Sequence, residues 1–558
     1  MARLPEPIEL DLEELNRIVA QDTLSSADRD KLMAALETLR FLTQALENKN
    51  VSLARMRKML FGASTEKTSQ VCGNDESQSC ADSTDASAQA SSPDNEGQCD
   101  AEPTSSEKPK RKGHGRIAAN KYHGAERQFV HHATLCPGDG CPLCQAGKVY
   151  PMAVPSRLVR LRGQAPITGK IWELERLRCN TCGEVFTAEP PETVGNDKYD
   201  VSTSAMIALA KYGVGVPFYR LGRLEQGMGI PLPPGTQWKL VVDRSDAPKI
   251  VFLELIRQAA QGDVMHNDDT PNKILALMKG KKSGNKTPTS KTDANDDSLS
   301  PEKRTGIFTS GIVAFKEDIR IVLFFTGRQH AGENLGDVLS HRAASLGAPI
   351  QMCDGLSRNV PKAFETILAN CLVHGRRNFV DIIDNFRDEC RHVLEVLRDV
   401  YRNDEIAKQQ GMSADERLAW HQAESAGLMD DLENWLKAQL DEKKVEPNGG
   451  LGQAIKYMQR HWHALTQFLR VAGAPLDNNI CERILKRAIL HRKNSYFFKT
   501  QNGADIGDIF MSIIHTAELC GTSPFDYLCA IMANADRVRA SPSLWLPWNY
   551  RLALESHS

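Results

Sequence analysis

The chain has 558 residues, 41% of them hydrophobic and 25% charged, with a formal net charge of -2. That length predicts several domains, and the near-neutral balance excludes a uniformly basic nucleic-acid coat while leaving local patches to be read segment by segment. No apolar run is long enough to cross a bilayer, and the opening MARLPEPIELDLEEL has acids and early prolines that a signal peptide lacks, so the expected compartment is the cytoplasm.

From Leu32 a leucine recurs at Leu39, Leu46, Leu53 and Leu60, a seven-residue stripe that predicts a zipper-like helix in an N-terminal region, 1–67. The other seam positions, Leu36, Thr43, Asn50 and Arg57, are mostly polar. Such a seam makes a weak coiled coil, so a homo-oligomer and an amphipathic helix packed on its own protein fit equally well. Residues 68–120 read as an acidic linker. Thr68 to Glu107 is rich in Ser, Asp, Ala and Gln and lacks Lys and Arg, too polar to offset chain entropy by burial, and the linker closes on the basic cluster KPKRKGHGR, Lys108 to Arg116.

The 14 cysteines are scattered, and two pairs have CxxC spacing: Cys141 with Cys144, and Cys179 with Cys182. Four thiolates in two knuckles suit tetrahedral zinc, because soft sulfur matches the metal and each knuckle orients two ligands at once. This predicts a zinc-binding domain over 121–195, mostly of short strands, with His131, His132 and Cys136 as nearby competitors for a ligand position. Next, over 196–250, FYRLGRLEQGMG, a turn and TQWKLVVDR predict a helix-turn-helix with Thr236 as N-cap of the second helix. An ordinary helical hairpin has the same pattern.

The stretch VMHNDDTP, Val264 to Pro271, predicts a strand. Alternation puts Val264, His266, Asp268 and Thr270 on one face and Met265, Asn267 and Asp269 on the other, so only one aspartate can point into a given site. A polar insertion, Lys279 to Arg304, precedes two antiparallel strands, GIFTSGIVAF and DIRIVLFFTG; a helix then leads to PIQMCDGLSRN, a strand that stops at Asp354. Three strands, a helix and a strand ending in an acid are the opening of a ribonuclease-H-like sheet. A mainly helical stretch follows, from CLVHGRRNF, and near its end PLDNNICERILKRAILHRKNSYFF predicts a helix capped by Asp477 with Glu482 and Lys486 one turn apart. Three acids stand out: Asp268 or Asp269, Asp354, and Glu482. Carboxylates gathered in this way hold two divalent cations about 3.5–4 Å apart, and hard oxygen ligands suit magnesium or manganese.

The ordered series MLFGASTEK, GHGR, the two CxxC pairs, HNDDTP, CDGLSRN, CLVHGRRNF, LDNNICERILKR, HRKNSYFF and LPWNY resembles the insertion sequence 66 family of DDE-type transposases along nearly the whole chain. The resemblance implies a multidomain α/β protein with a ribonuclease-H-like catalytic core over 251–515, a helical insertion at about 375–470, and a helical tail over 516–558. It assigns Asp268, Asp354 and Glu482 as catalytic ligands of Mg2+ or Mn2+, and Asp268 shares its face with His266. Asp269, on the other face, is expected to cap or brace. His374, in a Cys371-x-x-His374 pair, is expected to orient rather than ligate. Arg376, Arg377, Arg483, Lys486, Arg487, Arg492 and Lys493 are expected to contact DNA phosphates. Implied partners are transposon-end and target DNA, a second copy of the chain and small proteins of the same element, with no membrane. In place of the family's DGYAGY the chain has DGLSRN, which removes the aromatics expected to stack on the substrate strand there.

Overall fold

The computed structural model describes residues 134, 136–139, 148–150, 166–178, 185–189, 191, 197–278 and 304–556. The leucine stripe, the acidic linker, Cys141, Cys144, Cys179 and Cys182, and nearly all of the 279–304 insertion lie outside them. The chain divides into two units, Ser77–Ala165, and Met1–Glu76 with Pro166–Ser558. In the first, the described residues include a turn in which Asp139 Oδ2 accepts the Cys136 N–H at 2.7 Å.

The second unit is a mixed α/β body. A small antiparallel pair, β1 (Arg176–Arg178) and β2 (Val185–Thr187), precedes four helices: α1 (Val201–Ala208), α2 (Phe218–Gly227), α3 (Pro234–Asp243) and α4 (Asp246–Ala259). Helix α3 starts two residues before Thr236, which is therefore not its N-cap. Pro234 takes the first turn instead, where a missing N–H costs nothing and the fixed φ suits a helix. The helices α2 and α3 approach closely at Gly222, where an added Cβ would lie 2.9 Å from Leu232 O and the Gln237 amide. Buried Gln237 closes the pair by donating to Leu232 O at 2.8 Å and Phe218 O at 3.0 Å.

The main sheet comprises β3 (Val264–Pro271), β4 (Phe308–Lys316), β5 (Ile319–Gly327), β6 (Ile350–Cys353) and β7 (Ile367–Asn370), with α5 (Ala331–Leu339) between β5 and β6. Its order is β5-β4-β3-β6-β7. The pairs β3–β4 and β4–β5 are antiparallel, whereas β3–β6 and β6–β7 are parallel. The interior of β4 is buried almost continuously because helices cover both faces. The short β7, absent from the sequence reading, offers only ILAN, four residues too few to separate from a buried helical segment by pattern.

Helices α6 (Leu372–Val380), α7 (Arg387–Gln409), α8 (Ala414–Glu424), α9 (Ala426–Asp441) and α10 (Gly450–Leu465) follow β7, before α11 (Asn479–Ser495), α12 (Gln501–Leu519) and α13 (Pro524–Ala533). One apolar cluster joins β4 and β5 to α4, α11, α12 and α13, and another joins β6 and β7 to α6, α7, α9 and α10. Among the described residues, no helix is long and apolar enough to cross a membrane.

The edge strand β5 is closed by a helix rather than by another strand. The N–H groups of Val322, Phe324 and Thr326 donate to Thr516 Oγ1 (3.0 Å), Ser512 Oγ (2.9 Å) and Asp508 Oδ2 (2.6 Å) on α12. Two strand residues rise about 6.8 Å and four helical residues about 6 Å, so acceptors spaced by four match donors spaced by two. The helix thus blocks a template for edge-to-edge pairing. Ser512→Ala leaves the Phe324 N–H buried without its acceptor, and a loss of about 1–3 kcal/mol in urea unfolding is expected.

Candidate active site

Strand β3 keeps its pleat through both aspartates. It pairs residue by residue with β4 from Val264–Phe315 to Pro271–Phe308, with Asp268 opposite Gly311 and Asp269 opposite Ser310. The two carboxylates therefore leave on opposite faces. On the Asp269 face, Asp269 Oδ2 lies 3.0 Å from His330 Nδ1 and Oδ1 lies 3.4 Å from Arg358 Nη2. His330 is the N-cap of α5 and forms a capping box with Glu333, which Arg304 engages in turn at 2.9 Å. Asp269, almost fully buried, is thus committed to bracing α5 and the turn at Ser357–Asn359 against the sheet.

The Asp268 face meets α11. His266 Nδ1 lies 3.0 Å from Asn478 Oδ1, and Asn478 Nδ2 donates to Asn267 O at 3.1 Å. Burial pushes the His266 imidazole down to about 4, so the ring is neutral at pH 7, and the acceptor Asn478 Oδ1 makes Nδ1 the protonated nitrogen. Farther along, Arg492 Nη1 donates to Thr270 Oγ1 at 3.2 Å. These bonds fix α11 along the strand edge that carries Asp268 and bring Glu482, in its first turn, to the same place.

Asp354 arrives from the adjacent parallel strand, one residue past the end of β6. Its Oδ1 accepts from Asn359 Nδ2 at 2.6 Å and from the Leu356 N–H at 3.1 Å. Asn359 is held from below, since its carbonyl accepts from Asn267 Nδ2 and from Gln351 Nε2, both at 2.7 Å. Gly355 allows a close approach. A Cβ there would lie 3.0 Å from the Tyr457 hydroxyl and from the His461 ring, both on α10.

The three carboxylates feel one another. Burial, then the charges of Asp354, Asp269 and Glu482, push the Asp268 carboxyl up to about 7, against the lowering effect of the Asp269 N–H, which donates to Asp268 Oδ1 at 2.8 Å. Glu482 Oε1 is buried without a hydrogen-bond partner among the described residues, and His374 Nδ1 lies 3.9 Å from it. Hard oxygen donors that crowd one another's negative charge are the donor set a divalent cation such as Mg2+ fits. Cys371, His374 and Glu482 also place one ligand atom each within 4.8 Å of one another. Cys371 is a poor ligand there, because its Sγ accepts the Asn478 N–H at 3.2 Å and burial pushes its thiol up to about 12.

Of the other residues singled out in the sequence, Arg483, Lys486, Arg487 and Lys493 are exposed on α11, whereas Arg376 and Arg377 are half-buried on α6. Asp477 does not occupy the N-cap of α11; Asn478 does, and the Asp477 carboxylate accepts the Asn479 N–H at 3.0 Å. The hub role of Asn478, the Asn267–Gln351–Asn359 relay and the Tyr457–His461 pair were missed. Only the doubled Asn in LDNNICER hinted at the first.

The mixed α/β body thus gathers one carboxylate from within β3, one just past the end of β6 and one from the first turn of α11. The family described as "Transposase IS66 family" matches residues 198–506, more than half of the chain, and the chain belongs to that family. It is also similar to three proteins of Sinorhizobium fredii (strain NBRC 101917 / NGR234). It is 27% identical to uncharacterized protein y4jD over 67% of this chain and 71% of that protein. Against uncharacterized protein y4hP it is 31% identical over 34% of this chain and 37% of the relative, and against uncharacterized protein y4qI 24% identical over 62% of each. The match thus spans less than two thirds of y4hP and of y4qI.

The raised Asp268 value sets a pH signature. A carboxyl whose folded value lies above its unfolded value stabilises fully below about pH 4 and loses that contribution as pH rises through about 7. With divalent ions chelated, Asp268→Asn is expected to raise the melting temperature more at pH 8 than at pH 5. Equal shifts at both pH values would contradict the crowding of charge described above.

Proposed function

We propose that the chain is a DDE transposase that cleaves at transposon ends and joins the freed 3'-OH to target DNA, with Asp268, Asp354 and Glu482 as the metal-binding acids. The observation that carries the reading is the convergence of three carboxylates from β3, the end of β6 and the first turn of α11, close enough for two of them to raise the third. Sheet order supports a ribonuclease-H-like core, antiparallel through β5, β4 and β3 and parallel through β6 and β7, with α6 to α10 as a helical insertion ahead of Glu482. Bound Mg2+ or Mn2+ would activate the attacking oxygen and stabilise the leaving oxygen of a phosphodiester.

The chain's own residues supply position. Asn359 orients Asp354, the Asp269 N–H orients Asp268, and Asn478 fixes the helix that carries Glu482. His374 is a positioning residue beside Glu482 rather than a ligand. Arg483, Lys486, Arg487, Arg492 and Lys493, with Arg376 and Arg377, would hold the DNA backbone through phosphate contacts that fix register without reading sequence. In the same proposal α2 and α3 recognise the transposon end, the paired cysteines bind zinc, and the leucine stripe brings a second copy of the chain together, in the cytoplasm and with small proteins of the same element as accessory partners.

The test is an end-cleavage and strand-transfer assay in Mg2+ with element-end DNA. Asp354→Ala and Glu482→Ala are expected to fall to background with duplex binding retained, since each removes metal-held charge stabilisation of several kcal/mol. Asp269→Ala is expected to lower stability before it lowers chemistry. Full metal-dependent activity in either acid variant would overturn the proposal, and cleavage without joining would replace it with a nuclease.

A further inference from the structure

Helix α11 presents one long exposed stripe. Arg483, Lys486, Arg487, Leu490 and Lys493 are solvent-facing at helical spacing, with Tyr496, Phe497 and Lys499 exposed just beyond the helix end. No acid occurs between Arg483 and Lys499, although Glu518 of α12 lies near Arg487. The stripe begins beside Glu482 and runs about 21 Å, at about 1.5 Å per residue, to Tyr496.

The aromatic end is built, not frayed. Tyr496 and Phe497 are 65% and 45% exposed, yet the neighbouring Phe498 is buried against Ile274, Ile307 and Ala504. Phe498 also exchanges backbone bonds with the segment that continues β3, donating to Lys273 O and accepting from the Leu275 N–H, each at 2.9 Å. Ser495 Oγ accepts from buried Lys211 Nζ at 2.7 Å. Between these anchors Tyr496 has φ 66° and ψ -41°, and the Phe497 N–H donates to Ser495 O at 2.8 Å, closing a γ-turn with positive φ. That conformation is rare and strained for a residue with a side chain. Core packing accounts for Phe498 alone. The two rings it holds outward, with Lys493 and Lys499 beside them, combine flat apolar faces with positive charge.

We propose that Tyr496 and Phe497 are a platform on which bases of an unpaired DNA strand stack, at the far end of the basic track that leads from Glu482. Every base has a π-face, and the lysines neutralise the phosphates of the same strand, so the platform takes single strands without regard to sequence. The inference rests on the transposase reading and adds a subsite to it. It also supplies the aromatic stacking that DGLSRN does not offer beside Asp354.

The test uses the full chain and a short mixed-sequence oligonucleotide carrying 2-aminopurine, either single-stranded or annealed. Native protein is expected to quench the single-stranded probe. The double variant Tyr496→Ala, Phe497→Ala should bind that strand roughly tenfold to a hundredfold more weakly, with duplex affinity unchanged. Tyr496→Phe should bind as the native protein does. Tyr496→Gly, which removes the ring while relieving the positive φ, should lose quenching without loss of thermal stability, separating stacking from folding. Native-like single-strand binding by both ring-deleting proteins, or no quenching by the native chain, overturns the platform. If quenching is absent while duplex binding and metal-dependent cleavage persist, the platform alone fails; if salt-sensitive binding to either probe is absent, the basic track fails with it.

Discussion

The site depends on the two-residue period of β3. That strand is hydrogen-bonded on both sides, to β4 along its whole length and to β6 over its first half, so its register cannot slip without breaking ladders on each side. A slip of one residue would exchange Asp268 with Asp269 and send the acid held by His330 and Arg358 into the site. Gly311, opposite Asp268, is part of the same constraint: a Cβ there would lie 3.0 Å from Leu485 of α11. The helix that brings Glu482 can lie this close to the strand only because β4 has no side chain at that point.

Buried polar groups set the finer geometry. Asn267, Gln351 and Asn359 form a relay in which β3, β6 and the loop after β6 are tied by side-chain amides, and the last of them reaches Asp354. Such a relay stabilises only if its donors find acceptors, because an unpaired amide in this setting loses its hydration with no return. Each amide nitrogen of the relay donates to an acceptor, while Asn359 Oδ1 is buried without a partner among the described residues, so the relay is suited on its donor side to hold a carboxylate whose neighbours repel it. The strain of gathering acids is offset locally by hydrogen bonds and aggravated by burial, and it shows as the raised Asp268 carboxyl.

Much of this was legible in the sequence, because the informative signals were local. The alternation of VMHNDDTP, the apolar runs of β4 and β5, and a strand stopping at Asp354 each need only a few consecutive residues to be read. Most of what the sequence did not show lies where a partner is distant. Asn478 took the cap position expected of Asp477 while bonding His266, 212 residues earlier, and no local capping rule includes that partner. One error is local instead: Pro234 displaced Thr236 because a proline two residues earlier preset the first turn. The Tyr457 and His461 contacts at Gly355 come from a helix about a hundred residues downstream, and no spacing encodes them. Asp269 could be assigned to the far face by period alone, but its ties to His330 and Arg358 required the fold.

Helix α11 integrates the unit because it is pinned along its length. Asn478 ties its start to β3 and to Cys371, Arg492 ties its last turns to Thr270, and the segment after it pairs with the residues that follow β3. Both ends of the helix are thus referred to one strand. Glu482 and the exposed basic residues are thereby tied to the strand that carries Asp268. On the transposase proposal, a nucleic acid lying along the stripe would meet the acids in one register, because the track and the carboxylates belong to the same bonded pair of elements. Separate loops would have to be ordered by the ligand itself, at an entropic cost that this pairing has already met in folding.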